Sequence, residues 1–404
     1  MQFINKVILL SWVDKFSSFN TGGKMKNLFN ITLCFSLLLL PASIYSQDTD
    51  GIDGIEEVIV TGSYIKGSAT DGASPVEIID RSTIEDIGAT TVADITNYLT
   101  VNTGSENNAD SFNSGSTQGT SNVNLRGLGL SSTLVLIDGR RNTVAASQAN
   151  DGSVFVDTNS IPTIAIQRVE ILKGPQTTYF GNNSIGGALS FITKVPTDKE
   201  EASISGTIGS HGEMTFTGIK SGRVSDKMKA RFAFSYHKMD GWLKNTNPKG
   251  DNYPNKDGFN LRSTFVWDSS DDMEAKLKVD IGRLDTASGM GWQQTNCLPD
   301  GSGANITFII STCKLGLAAE GFEGLFDDRF SASEKAYGYL NSDSVVLEIK
   351  KSIGDAELTS ITSQQEIDAL IPGESDYSSR DFFHWRHDEQ SDQFSQELRL
   401  TGQY

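Results

Sequence analysis

Residues 230–237 read Ala-Arg-Phe-Ala-Phe-Ser-Tyr-His, so apolar side chains alternate with polar or small ones along this stretch. Because successive side chains of a β-strand point to opposite faces, the alternation predicts a strand with one apolar and one polar face. The same period of two returns in seven further runs, at 202–208, 213–220, 259–267, 274–281, 345–349, 357–367 and 394–400. The second half of the chain is therefore predicted to contain eight strands.

The length of these strands favours a membrane β-barrel. Many reach about ten residues with aromatic side chains near their ends, which is typical of strands that cross a bilayer around a polar lumen. The alternative is a soluble β-sandwich, whose strands also alternate but average about five or six residues. The segment 286–342, between two predicted strands, fits a long extracellular loop.

The N-terminus resembles an export signal. The apolar run 28–40 follows two lysines and precedes small residues. It is shorter than the roughly 20 residues that a helix needs to span a membrane, so a secretory signal is predicted, with cleavage near Ser46. Residues 1–46 are assigned to an N-terminal extension and signal peptide, and a start at Met1 or at Met25 is left open.

Only three cysteines occur in the chain, which excludes a disulfide-rich scaffold. Two of them, Cys297 and Cys313, belong to the mature part and fall in the long loop. In an oxidising compartment these two cysteines could form a disulfide bond, and the alternative is that both remain free thiols.

Charge and motif content exclude several classes of function. The chain has 51 acidic and 34 basic residues and a net charge of −17, which argues against nucleic-acid binding. His384 and His387 would lie on opposite faces of a strand, so they do not predict a shared metal site. The glycines in 181–187 lack the Lys-Ser/Thr of a phosphate loop, and no nucleophile setting is found. No enzymatic activity, cofactor or metal is expected.

A flexible tether, residues 47–73, is predicted after the signal, because its start is acidic, rich in glycine and aperiodic. It contains Glu57, Val58, Ile59, Val60 and Thr61, a short β-prone stretch. Such a stretch beside a tether is suited to pairing with an exposed sheet edge of another protein. The alternative is an ordinary first strand of the next domain.

Residues 74–196 alternate helix and strand signals, which predicts a small α/β domain. Ser82 with Glu85 and Thr91 with Asp94 have capping-box spacing, and 160–162 reads as a further helix start. Strands are predicted at 123–125, 134–137, 169–172 and 188–192.

Within this domain the run 133–137 is apolar on both faces, so it should be covered on both sides, and Asp138-Gly139 should end it in a turn. The segments 102–121 and 142–153 are polar and nearly free of apolar side chains. Solvated loops explain them, but polar loops on a rigid domain are also where ligands bind.

Four stretches carry a family resemblance by their motifs and their order. They read EVIVT at 57–61, NLRG and LVLIDGR at 124–127 and 134–140, IQRVEILKGP with YFG and GGA between 166 and 188, and FSQELRL at 394–400. In this order they resemble the TonB box, the two plug signatures and a barrel strand of the TonB-dependent outer-membrane receptors of Gram-negative bacteria.

The resemblance implies an α/β plug domain followed by antiparallel strands of a 22-stranded transmembrane β-barrel in the cell outer membrane. It also implies energised uptake of a scarce ligand. A ferric siderophore is preferred because it is the common ligand of the family, and cobalamin, a glycan or another organic ligand are the alternatives. The partners would be TonB, with ExbB and ExbD, which reach the TonB box from the periplasm. A barrel that binds ligand or mediates adhesion without transport is the alternative class.

The resemblance also assigns roles to residues. Glu57 to Thr61 would bind TonB. Seating of the plug against the barrel wall is expected of Arg126, Gly127, Arg168, Glu170, Lys173 and Gly174. Ligand contacts are expected in the loops 102–121, 128–131 and 142–153, which begin at Asn102, Leu128 and Asn142 and end at Ser121, Ser131 and Ser153.

Eight strands are too few for a plugged lumen, which belongs to barrels of about 22 strands. At about 26 residues per strand, as in 197–404, a full barrel would take about 570 residues. The sequence up to Tyr404 is therefore expected to be the plug and the first barrel strands of a receptor of about 770 residues.

Overall fold

An α/β domain comes first in the computed structural model. The elements are β1 Val76–Asp80, α1 Arg81–Asp86, α2 Val92–Tyr98, β2 Thr133–Ile137, β3 Arg140–Arg141, β4 Ile166–Lys173, α3 Thr177–Phe180 and β5 Gly187–Thr193. The strands form a sheet of order β1-β4-β5-β2-β3, in which only β2 and β5 run parallel.

The structure describes residues 76–105, 117, 120–142, 144–145, 149, 152–270, 272–287, 314, 328–333, 337–374, 379 and 384–402, all within the unit Tyr45–Tyr404. The predicted signal peptide, the stretch from Glu57 to Thr61, and Cys297 and Cys313 lie outside the described residues.

Local sequence signals placed the start of α2 correctly and the start of α1 two residues too late. The capping box of Thr91 and Asp94 is present at the start of α2, as predicted. The α1 helix begins before Ser82, because the carboxylate of Asp80 accepts a hydrogen bond from the Thr83 amide and caps it earlier.

Two short 3-10 turns, Thr158–Ser160 and Thr163–Ala165, replace the helix expected at 160–162, since the chain enters β4 directly afterwards. The strand expected at 123–125 is also wrong. It forms a single bridge between Leu125 and Asn102.

The β2 strand is buried on both faces, as predicted. Val135 belongs to the main core with Ile84, Ile95, Leu189 and Phe191. The opposite face, with Leu134 and Leu136, packs in a second cluster with Leu172 and Ala188. Full burial of each such side chain stabilises the fold by about 1.5–3 kcal/mol, so β2 contributes to the core on both sides of the sheet.

Eight antiparallel strands follow, as the alternation predicted, and each pairs with the next long strand along the chain. Two short strands, β9 and β12, pair with each other in parallel. The elements are β6 Glu201–Ile208, β7 Met214–Ser225, β8 Met228–Met239, β9 Lys244–Asn245, β10 Lys256–Ser270, β11 Met273–Ala287, β12 Arg329–Phe330, β13 Tyr337–Ile353, β14 Ala356–Glu374 and β15 His384–Gly402.

The two ends of this sheet differ. At one end, called the turn end, two residues connect β7 to β8, β10 to β11 and β13 to β14. The connections at the other end, called the loop end, are longer and include 240–255, 288–336 and 375–383. Among the residues that the structure describes, no helix has the length and apolar character needed to cross a membrane.

The two faces of the sheet also differ. One face carries apolar side chains, and Phe232 packs edge-on against Phe265 with ring centroids 5.6 Å apart. The other face, called the wall, carries Arg262, Lys278 and Asp280, and it faces the α/β domain. This division between an apolar and a polar face is the one that the period of two predicted.

Candidate functional site

Asp138 lies at the point where the α/β domain meets the wall. It forms a two-residue turn with Gly139 between β2 and β3, and both residues have positive φ, 50° and 78°. The amide and hydroxyl of Thr193 donate hydrogen bonds to its carboxylate at 2.8–2.9 Å. The turn and these bonds together fix the carboxylate at the edge of the domain.

Two buried cations of the wall point at this carboxylate. Lys278 Nζ lies 2.7 Å and Arg262 Nη2 3.5 Å from Asp138 Oδ2. Burial alone would raise the pKa of Asp138, but the charges of Lys278 and Arg262 outweigh it and hold that pKa well below its ordinary value. The pair Asp138–Lys278 is therefore a charged contact between domain and wall that is largely buried.

Further charges surround this contact. Arg262 Nε lies 3.4 Å from Asp280 Oδ1, and both side chains belong to the wall. Burial lowers the pKa of Arg140, which follows Asp138 on β3, whereas the charges of Asp138 and Asp280 oppose that shift. The domain thus contributes one anion and one cation to a mixed cluster, which the sequence analysis did not find because it interpreted Asp138 only as a turn residue.

Three of the charged residues predicted to seat the domain, Arg168, Glu170 and Lys173, form ion pairs inside it. Arg168 Nε lies 2.8 Å from Oε1 of the fully buried Glu170, two residues along β4. Lys173 Nζ lies 2.6 Å from Glu77 on the neighbouring β1. Their role in seating remains a prediction, and the structure adds Asp138 and Arg140 as residues that face the wall.

The remaining predicted seating residues occupy turns. Arg126 is exposed and has φ of 60°, and its amide donates to the carbonyl of Val101 at 2.7 Å. Gly127 and Gly174 have φ of 66° and 92°, a region that side chains with a Cβ rarely adopt. These three residues set the direction of the backbone at turns. Their predicted role in seating the domain against the wall stays a prediction.

Asp157 joins the bases of two predicted ligand loops. Its Oδ1 accepts hydrogen bonds from the amides of Ser121 and Asn159, both at 3.0 Å. Burial raises the pKa of Asp157 to about 7 despite these bonds, and the charge of Glu389 on β15 adds to the shift. Asp157, which follows the loop 142–153, thus ties the end of the loop 102–121 to the turn Thr158–Ser160.

The other ligand loops pack on each other. Leu130, Ala145, Ala149 and Phe155 form a small buried cluster, and the amide of Ala145 donates to the carbonyl of Phe155 at 2.8 Å. Leu128 next to this cluster is 53% exposed. The parts of these loops that lie outside the described residues are 106–116, 118–119, 143, 146–148 and 150–151.

A cleft separates part of the α/β domain from the wall. It measures about 950 Å³ including its open mouth. The domain contributes Thr91 and Asn159 to its lining, and the wall contributes mostly small or polar residues such as Ser235, Asn260 and Ser342. Apolar side chains, among them Val92, Ile161 and Leu340, also line the cleft.

Metal ligation has little support among the described residues. In that part of the chain no three His, Cys, Asp or Glu side chains are close enough to hold a metal ion. The β15 strand is regular through His384 and His387, which puts them on opposite faces, as expected.

A change of Asp157 to Asn should alter the pH dependence of stability. Because its pKa is raised to about 7 in the folded chain, wild-type stability should fall as pH rises from about 4 to about 7, where only the unfolded chain ionises. The asparagine side chain keeps an Oδ1 for both hydrogen bonds and has no proton to lose. The variant should therefore show a smaller loss between those pH values in thermal unfolding of the purified receptor.

The control for this experiment is Asp198→Asn, which removes an exposed carboxylate that pairs with Arg223. The control should follow the wild-type pH dependence. If Asp157→Asn and wild type lose the same stability between about pH 4 and about pH 7, the assignment of the buried proton to Asp157 is contradicted.

Comparison with known families identifies the first domain. Residues 68–188 match the family model of the TonB-dependent Receptor Plug Domain. Over 229 residues the chain is 28% identical to the Vitamin B12 transporter BtuB of Vibrio vulnificus, covering 55% of this chain and 34% of that protein. Over 164 residues it is 27% identical to the Iron-regulated outer membrane virulence protein of Vibrio cholerae, covering 39% of this chain and 22% of that protein.

Solved structures show the same fold. The ferric yersiniabactin uptake receptor FyuA of Yersinia pestis superposes with a TM-score of 0.58 at 17% identity, over 83% of this chain and 46% of that one. The siderophore receptor PiuA of Acinetobacter baumannii gives 0.59 at 16% identity, over 85% and 45%.

The chain therefore spans about a third or less of these curated relatives and less than half of these solved structures. The matched family and its structural neighbours are receptors and transporters, which confirms the expectation that the chain is not an enzyme.

Proposed function

Because the chain has the plug domain and the barrel strands of a TonB-dependent receptor, we propose that it takes part in energised uptake of a scarce ligand. The observation that carries this proposal is the contact between plug and wall. The plug contacts the wall through the Asp138–Lys278 ion pair, and a cleft separates another part of the plug from the wall, so that part can be displaced without breaking a packed interface.

The same geometry supports a location in the outer membrane. The face opposite the wall carries exposed apolar side chains such as Trp267, Leu347 and Leu398, and the eight strands are joined alternately by short turns and longer loops. In outer-membrane barrels the short turns are periplasmic and the long loops extracellular. We therefore assign the loop end to the cell exterior and the turn end to the periplasm.

The energy source is assigned to TonB, driven by ExbB and ExbD. The support is in the sequence, where Glu57 to Thr61 precede the plug and follow an acidic, glycine-containing segment. A partner strand that pairs with this stretch through backbone hydrogen bonds could pull on the plug from the periplasm. This TonB box therefore connects the plug to the energised inner membrane.

For the ligand we propose a ferric siderophore, and the fold shared with siderophore receptors favours it. Cobalamin is the second candidate, because a vitamin B12 transporter is among the relatives by sequence. Other organic ligands, including glycans, are the remaining alternatives.

Iron-limited growth tests the choice of ligand. Deletion of the gene should abolish uptake of 55Fe-labelled siderophore and slow growth in iron-poor medium, whereas uptake of 57Co-labelled cobalamin should be unaffected. The opposite pattern would assign the receptor to cobalamin. Loss of neither activity would contradict both candidates.

A further inference from the structure

A second lysine of the wall, Lys276, follows the plug contact in the direction of the turn end. It is two residues before Lys278 on β11, so alternation puts both side chains on the same face of the strand. Because β11 begins at Met273 beside the turn end, Lys276 lies nearer that end than Lys278, by about 7 Å at about 3.3 Å per residue. The two lysines therefore form a short row that leads from the plug contact towards the turn end.

Lys276 is held by two carboxylates of the wall. Its Nζ lies 3.5 Å from Oε1 of Glu348, its partner on β13, and 3.8 Å from Oε1 of Glu274 on its own strand. The side chain is 14% exposed, and both distances exceed the 2.7 Å between Lys278 and Asp138. Since a lysine ammonium has three N–H donors, Lys276 can bind a further carboxylate oxygen.

The plug turn carries two opposite charges that fit this row. Asp138 contacts the lysine farther from the turn end, and Arg140 follows two residues later. Two carboxylates of the wall, Asp280 and Glu348, attract the Arg140 guanidinium. Glu348 is the carboxylate beside Lys276, so one of the two anions that attract Arg140 already lies on the side of the turn end.

A plug that moves about 7 Å towards the turn end would exchange one set of partners for another. Asp138 would reach Lys276, and Arg140 would come beside Glu348. Breaking a buried ion pair is costly because each charge is left uncompensated. The second set of partners offsets part of that cost, so release of the plug in two steps is less costly than release in one.

We propose that Lys276 and Glu348 form a second docking position for Asp138 and Arg140, which the plug occupies when it is pulled towards the periplasm. The inference rests on the proposed function, because the direction of the pull follows from TonB at the turn end. Lys276 is then a positioning residue that stabilises the displaced plug and not the resting contact. Loss of one hydrogen bond to a charged group from such an intermediate should slow uptake about tenfold or more.

Uptake by variants of Lys276 tests this position. The probes are a 55Fe-labelled tris-catecholate and 57Co-labelled cyanocobalamin, and the variants are compared with the probe that wild-type cells accumulate. Lys276→Gln removes the charge, and Lys276→Arg keeps it. Lys350→Gln is the matched control, because Lys350 Nζ also lies 3.5 Å from Glu348 Oε1 but is one wall position farther from the plug.

We expect Lys276→Gln to lower the initial rate of uptake per surface receptor about tenfold or more, with Lys276→Arg and Lys350→Gln near wild type. Hydrogen exchange in β2, β3 and β5 and probe binding in energy-depleted cells should be unchanged in Lys276→Gln, because the resting contact of Asp138 with Lys278 is intact.

Three results would contradict the second docking position alone. They are TonB-dependent uptake that Lys276→Gln leaves at the wild-type rate, a slow rate that Lys276→Arg does not restore, and faster exchange of the resting plug in Lys276→Gln. Wild-type cells that accumulate neither probe, or accumulate one equally without TonB, would contradict the proposed function and with it this inference.

Discussion

Val58→Pro should reduce energised uptake to the level of a strain without the receptor, while binding at the cell surface persists. The variant places proline in the middle of the TonB box, where it removes one backbone donor and fixes φ near −65°. A strand that binds through its backbone depends on that donor, so TonB should bind this segment much more weakly. The ligand loops and the wall are far along the chain from this position and should be unaffected.

The matched control for this prediction is Val58→Ala, which removes the side chain and keeps the backbone N–H. It should retain most of the uptake. Uptake and binding are compared with the same labelled ligand in growing and in energy-depleted cells. Undiminished uptake by Val58→Pro would contradict the assignment of Glu57 to Thr61 as the TonB box.

Asp138→Ala should loosen the plug by about 3–5 kcal/mol, because it leaves the Lys278 ammonium buried without its carboxylate. Lys278 is 4% exposed, so its ammonium depends on this partner for charge compensation. The expected result is faster hydrogen exchange in β2, β3 and β5. Cells should also become more sensitive to antibiotics too large to pass a closed receptor.

Asp198→Ala is the control for this effect. It breaks the exposed pair with Arg223, and such surface pairs are worth about 0–1 kcal/mol. The control should therefore exchange like wild type. Equal exchange in Asp138→Ala and wild type would show that the plug is held by other contacts.

The sequence predicted the strands well where one face meets an apolar environment and the other meets the plug. The alternation of 230–237 identified β8, and similar runs identified the other seven long strands. The predicted strand 345–349 was too short, since β13 spans Tyr337–Ile353. Towards the loop end of β13, Asn341 and Asp343 occupy the positions where the alternation would place apolar side chains. The strand continues there beyond the apolar band of the sheet, so the alternation no longer marks it.

The contacts of the site could not be predicted in the same way. Asp138 and Lys278 are 140 positions apart, and only the registers of both sheets bring them within 2.7 Å. The local sequence around Asp138 shows a turn and nothing more. Lys276 likewise meets Glu348 across two strands, which requires the pairing of β11 and β13 to be known.

Uptake of the labelled ligand in otherwise identical cells with and without TonB is the most direct test of the proposed function. The receptor should accumulate ligand only in the cells that have TonB, and surface binding should be equal in both. Equal accumulation in the two strains would contradict energised transport through this chain.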